Sequence, residues 1–216
     1  MKDIYLLSGL GADKRVFDFI DFSGFNVNYV SWIEPVASES LERYAKRLLL
    51  QISTNKPVII GISFGGMISI EIAKLIETER VVLISSAETK SEIPLSYKIM
   101  GSLRLYKIIP PEVFKSANFV TYWLFGAKNK QEKALLKAIM KDTDTGFLKW
   151  SVEAIAHWTN ERRLENVTRI HGDADRILPL RKADYVIKGG GHLMIVNKAG
   201  ELSKLIRELL SELSRG

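Results

Sequence analysis

The stretch Gly61-Ile62-Ser63-Phe64-Gly65-Gly66 constrains this chain more than any other. It follows the apolar run Val58-Ile59-Ile60, which reads as a buried strand, and precedes residues 67–76, which read as a helix. A Gly-x-Ser-x-Gly between a strand and a helix predicts a very tight turn. Only small residues fit two positions before and two after the serine, hence Gly61 and Gly65. The turn strains the serine backbone and lifts Ser63 Oγ clear of the sheet edge, at the N-terminus of the next helix. That helix end can stabilise a developing oxyanion. The bland alternative is a glycine-rich turn that only lets a helix pack closely on a sheet.

Strand patterns recur at residues 4–7, 25–30, 58–62, 81–84, 168–171 and 184–188. Residues 41–52 form an amphipathic helix pattern, and the chain closes with Leu202, Leu205, Ile206, Leu209, Leu210 and Leu213 at helical spacing. Strands alternating with helices predict an α/β fold. We expect a compact, mostly parallel sheet of about six strands with helices on both faces. Functional sites in such sheets lie at the carboxyl ends of the strands. Residues 88–166 break the rhythm, with no convincing strand and with Pro94, Pro110 and Pro111 as punctuation. Segments 131–140 and 145–158 read as helices, the second capped by Asp144. We read 88–166 as a short helical lid inserted into a single domain spanning 1–216.

Composition narrows the function classes. The chain has 216 residues, 46% hydrophobic and 26% charged, enough for one domain with a sizeable core. No apolar run approaches the roughly 18 residues of a membrane span. The first residues lack a signal-peptide pattern, so membrane insertion is not expected. The absence of cysteine removes disulfides, thiolate metal sites and a cysteine nucleophile, and fits a cytoplasmic protein. The net charge of +6 is scattered, without the basic stripe interleaved with aromatics that nucleic-acid binding requires.

A serine nucleophile needs a histidine to take its proton and a carboxylate to hold that histidine. The chain has three histidines. His157 falls in a helix pattern and reads as packing or surface. His171 ends the fifth strand and reads as a structural hydrogen-bonding residue. His192 follows Gly189-Gly190-Gly191 directly after the last strand, where three glycines let a loop carry the imidazole across the sheet edge. The loop after the fifth strand offers two carboxylates, Asp173 and Asp175. Two backbone N–H groups should bind an oxyanion: that of Phe64, after the nucleophile, and that of Leu10 in the loop Gly9-Leu10-Gly11.

Taken together, the chain resembles the α/β-hydrolase superfamily over nearly its whole length. Ser8-Gly9-Leu10-Gly11 stands where that family often has a His-Gly oxyanion motif, and Gly61 to Gly66 matches its elbow. Gly172-x-x-Asp175-x-Ile177-x-Pro179 resembles its acid loop, which favours Asp175 over Asp173. Gly191-His192 resembles its Gly-His signature before the C-terminal helix. Three departures stand out. Ser8 replaces the leading histidine, the Asp175-to-His192 gap is short enough to reduce the usual helix to a turn, and the N-terminal strands of larger members are missing.

The resemblance implies a serine hydrolase with Ser63, Asp175 and His192 as triad and Leu10 and Phe64 as oxyanion hole. It implies no metal or organic cofactor. The expected partner is a small-molecule ester or thioester, and a monomer or homodimer is the default state. Trp123, Phe125, Trp150 and Trp158, with Met140, give the lid an aromatic character. They are read as substrate-binding or as the lid's own core. C–C bond hydrolases, lyases and cofactor-free peroxidases share the triad, and a silent ligand-binding protein shares the fold.

Overall fold

Six strands build one sheet: β1 (Lys2–Leu7), β2 (Phe25–Tyr29), β3 (Val58–Ile62), β4 (Arg80–Ile84), β5 (Val167–Gly172) and β6 (Tyr185–Ile187). A computed structural model of the protein describes residues 1–102 and 115–213. The order is β2-β1-β3-β4-β5-β6, and every neighbouring pair is parallel. The sheet is thus parallel throughout, where the sequence pattern implied mostly parallel. All five residues of β3 are buried, as a continuous apolar run in a doubly covered parallel strand requires. The edge strands differ: β2 is nowhere fully buried, and β6 is three residues long with only Ile187 buried.

Alternate strand residues feed opposite faces. Tyr5, Leu7, Ile59, Val81 and Leu83 join one core cluster, and Ile4, Leu6, Val58, Ile60, Val82 and Ile84 the other. Helices α1 (Leu41–Leu48) and α2 (Phe64–Ala73) cover the first face, and the C-terminal helix covers the second through Leu202, Ile206, Leu209 and Leu210. Helix α1 stops at Leu48 and runs into a 3-10 turn, four residues short of the expected end. The amides of Ser53 and Thr54 donate to the Tyr5 hydroxyl at 3.2 Å each, which turns the chain toward β3.

Between β4 and β5 lie four described helices: α3 (Leu95–Ser102), α4 (Phe119–Phe125), α5 (Lys130–Asp142) and α6 (Thr145–Ala156). The last two match the expected pair, and Asp144 caps α6 by accepting the Phe147 amide at 2.7 Å. The first two were not legible from periodicity. α4 is set by its ends instead, with Asn118 accepting the Thr121 amide and Gly126 closing the helix at φ 75°. Pro110 and Pro111 lie outside the described residues. The segment leaves and returns through one joined stem. Glu88, buried, pairs with Arg163 at 2.6 Å and Arg169 at 3.3 Å, and the Lys90 amide donates to Asn160 O at 2.8 Å. After β6 come a short helix α7 (Met194–Asn197) and the long α8 (Ala199–Glu212). Among the described residues no helix is long and apolar enough to cross a membrane.

Candidate active site

Ser63 connects β3 to α2 with φ 50° and ψ −119°, a conformation that costs a non-glycine residue about 1–3 kcal/mol. Its neighbours enforce it. The Ser63 amide donates to Ile84 O at 2.9 Å, and its carbonyl accepts the Ser86 hydroxyl at 2.6 Å and the Gly66 amide at 3.0 Å. The glycines are dictated by contact. A Cβ on Gly61 would lie 2.6 Å from Gly65 O and Gly66 Cα, and one on Gly65 would run into the carbonyls of Leu7 and Ser8. Gly66 faces Ser86 Cβ at 2.6 Å in the same sense. Helix α2 therefore begins at Phe64, three residues before its apolar run suggested.

His192 sits in the loop between β6 and α7. Gly189 takes φ 66°, and Gly172 and Gly190 approach so closely that a Cβ on Gly172 would collide with the Gly190 backbone. Leu193 N–H donates to Phe125 O at 2.9 Å, and the Phe125 ring meets the imidazole edge-on at 5.6 Å. The imidazole is thereby held between two partners: Nε2 lies 2.9 Å from Ser63 Oγ and Nδ1 lies 2.8 Å from Asp175 Oδ2. Asp175 Oδ1 accepts the amides of Ile177 at 2.9 Å and Leu178 at 3.0 Å. Burial opposes ionisation of Asp175 most strongly. The charge of His192, hydrogen bonds from His171 and His192, and the Leu178 amide outweigh it and hold the carboxyl well below the usual carboxylate range.

Asp173, the other carboxylate of the loop, accepts the Gly189 amide at 2.6 Å and has no bond to His192. His157 is exposed at the end of α6, with Nδ1 2.8 Å from Glu153 O. His171 is buried, and its Nε2 lies 2.7 Å from Leu178 O. The sequence-predicted serine, histidine and Asp175 are thus brought together. Asp173 and His157 stand apart from them, and His171 approaches Asp175 Oδ2 at 3.3 Å without reaching Ser63 or His192.

No protein-family model matches the sequence, and no curated protein matches it either. Solved structures match along nearly the full length. A hydrolase from Pseudomonas aeruginosa PA01 superposes with a TM-score of 0.76 at 17% identity, covering 97% of this chain and 89% of that one. MenH from S. aureus gives a TM-score of 0.72 at 14% identity, with 99% and 94% covered. A carboxylesterase of the thaumarchaeon Nitrososphaera gargenis gives 0.69 at 16%, with 99% and 91% covered. The chain has the α/β-hydrolase fold. At such identities the likeness is one of architecture.

Within this α/β-hydrolase fold the loop after β1 faces the elbow. A Cβ on Gly9 would stand 3.5 Å from Ser63 Cβ. Ser8 donates its hydroxyl to Ala12 O at 2.6 Å, and the Thr143 hydroxyl at the end of α5 faces two carbonyls, Ile139 O at 2.8 Å and Gly11 O at 3.1 Å. Among the described residues nothing in the protein accepts a hydrogen bond from the amides of Leu10 or Phe64. Both residues line, with Ser63 and His192, a cavity of about 310 Å³. Its walls are mostly aliphatic, including Val16, Met67, Ile139, Leu148, Val152 and Leu178, with Tyr97 and Lys115 among the few polar groups.

The aromatic expectation is corrected here. Phe125 and Met140 line the cavity. Trp123, 51% exposed, lies outside it with the Arg176 guanidinium 4.5 Å above its ring. Trp150 is buried 4.4 Å from the Tyr44 ring and donates to Glu39 O, and Trp158 donates to Glu71 Oε1 at 2.8 Å. A buried indole N–H needs an acceptor, and these acceptors lie on the α1–α2 side rather than in the cavity. Sequence reasoning also missed Ser86 and Thr143, which brace the elbow and the β1 loop. The parallel register, with Ile62 opposite Ile84, is the signal that places Ser86 beside the elbow. Among the described residues no group of three or more His, Asp and Glu side chains could hold a metal ion.

Proposed function

We propose that this protein is a serine hydrolase for small to medium, apolar carboxylic esters or thioesters. The observation that carries the reading is the hydrogen-bonded line Asp175–His192–Ser63 opening into a mostly aliphatic cavity. Ser63 Oγ attacks the acyl carbonyl while its proton passes to His192 Nε2. Asp175 accepts Nδ1–H throughout and stabilises the imidazolium. The tetrahedral oxyanion takes hydrogen bonds from the Leu10 and Phe64 amides, each worth roughly 10²–10³ in rate at such sites. Collapse expels the alcohol or thiol with the proton from His192, and water then repeats the sequence on the acyl-enzyme. The helical segment 88–166 acts as the lid of a single domain and supplies much of the cavity wall.

Hydrolysis of p-nitrophenyl esters from acetate to octanoate, by wild type and Ser63→Ala side by side, tests the reading. Turnover in wild type that vanishes in the variant is expected, with an optimum chain length that reports the cavity's reach. Turnover equal in both, or absent in both, overturns it.

A further inference from the structure

Asp175 faces two imidazoles. His192 Nδ1 lies 2.8 Å from Oδ2, and His171 Nε2 lies 3.3 Å from the same oxygen. His171 belongs to β5, pairs in register with Val186 of β6, and is 5% exposed. Its Nε2 is also 2.7 Å from Leu178 O. A carbonyl only accepts, so Nε2 carries the proton, and that single N–H faces both the Leu178 carbonyl and Asp175 Oδ2. The amides of Ile177 and Leu178 meanwhile donate to Asp175 Oδ1. The turn 175–178 is therefore held from both ends. Its amides grip the carboxylate, and its last carbonyl is gripped by an imidazole rooted in the sheet. A buried polar ring at this site costs stability unless it is bonded, and these are the bonds it makes.

We propose that His171 is a positioning residue, whose Nε2–H sets the 175–178 turn and so aims Asp175 Oδ2 at His192. Its effect on rate rests on the serine-hydrolase reading; its effect on the Asp175–His192 hydrogen bond does not.

Two variants separate the N–H from the ring. His171→Phe keeps a planar ring and removes the donor. His171→Gln returns an N–H close to the Nε2 position. Each is measured for kcat and KM on the best p-nitrophenyl ester, and by proton NMR for the downfield Nδ1–H of His192. The expected result for His171→Phe is a fall in kcat of roughly tenfold or more with KM little changed, because a small misdirection of a positioned group is felt in the transition state. The downfield proton should shift or broaden. His171→Gln should restore both toward wild type. If His171→Phe does not fold, His171→Asn, whose amide falls short of both oxygens, takes its place. Wild-type kcat and an unmoved proton in the donor-free variant overturn the proposal, as does equal loss in the Gln and donor-free variants. A wild type with no Ser63-dependent turnover overturns the hydrolase reading alone, and the NMR arm then decides the role of His171.

Discussion

Ser63 shows how a single residue is held in a conformation its own chemistry disfavours. The bonds to Ile84 O, Ser86 and Gly66 fix its backbone from both sides, and the glycines around it leave room for the turn. Ser63→Gly removes the nucleophile and the strained Cβ together. We expect turnover to disappear while the thermal midpoint stays level or rises, since relief of about 1–3 kcal/mol of strain exceeds glycine's added chain entropy of roughly 0.5–1 kcal/mol. A clear fall in the midpoint would show that the elbow is not strained. The acid position permits an equally local test. Asp175→Asn should lower kcat by about 10⁴, as an asparagine leaves the histidine in the wrong tautomer. Asp173→Asn should leave it near wild type, because Asp173 only pins the Gly189 amide. Kinetics on the two variants side by side would detect a reversal.

Helix α6 shows why periodicity reveals a helix more readily than the partner of each face. Leu148, Val152 and Ile155, spaced by four and three residues, share the face that lines the cavity. Phe147, Trp150 and Ala154 join the core beneath α1. Both faces are apolar, so the pattern could not say which one meets substrate. The indoles follow their acceptors into the core, and the aliphatic face is left for the cavity. Leu148→Trp should therefore shift the preferred ester toward shorter acyl chains. Trp158→Phe should leave that preference unchanged while lowering stability by about 1–3 kcal/mol, because Glu71 loses a buried donor. The ester series and urea unfolding measure the two effects separately. A changed chain-length optimum in Trp158→Phe would return that residue to the cavity.

Over the whole molecule, stability and the site share groups. The Glu88–Arg163–Arg169 cluster ties β5 to both roots of the helical segment, so the cavity wall is anchored to the sheet that carries Asp175. Asp175 itself links the fold to pH. Its carboxyl titrates lower in the folded chain than in the unfolded one. Such a group stabilises the fold above its unfolded value of about 3.9, and that contribution drains away as pH falls toward the folded value. Wild type should thus lose stability steeply below about pH 4. Asp175→Asn, with no carboxyl to protonate there, should have a shallower pH dependence. Urea midpoints from about pH 6 down to pH 2 give the comparison, and parallel curves would show that Asp175 gains no preferential ionisation from folding.

By itself the sequence determined what depends on local sterics and period. Alternating strands and helices required a doubly covered sheet, the glycines around Ser63 required the elbow, and the triple glycine before His192 required a loop able to cross the sheet edge. These signals are short-range, because backbone sterics and side-chain alternation act within a few residues. Only the tertiary structure decided the rest. It set the 175–178 turn that aims Asp175, the carboxylate the acid-loop resemblance already favoured, at His192 and leaves Asp173 on the Gly189 amide. It moved three tryptophans out of the cavity, set Thr143 in its wall against the β1 loop, and put Ser86 and His171 behind the residues that face it. Those roles depend on strand order and on where a buried N–H finds its acceptor across distant segments, which no local pattern records.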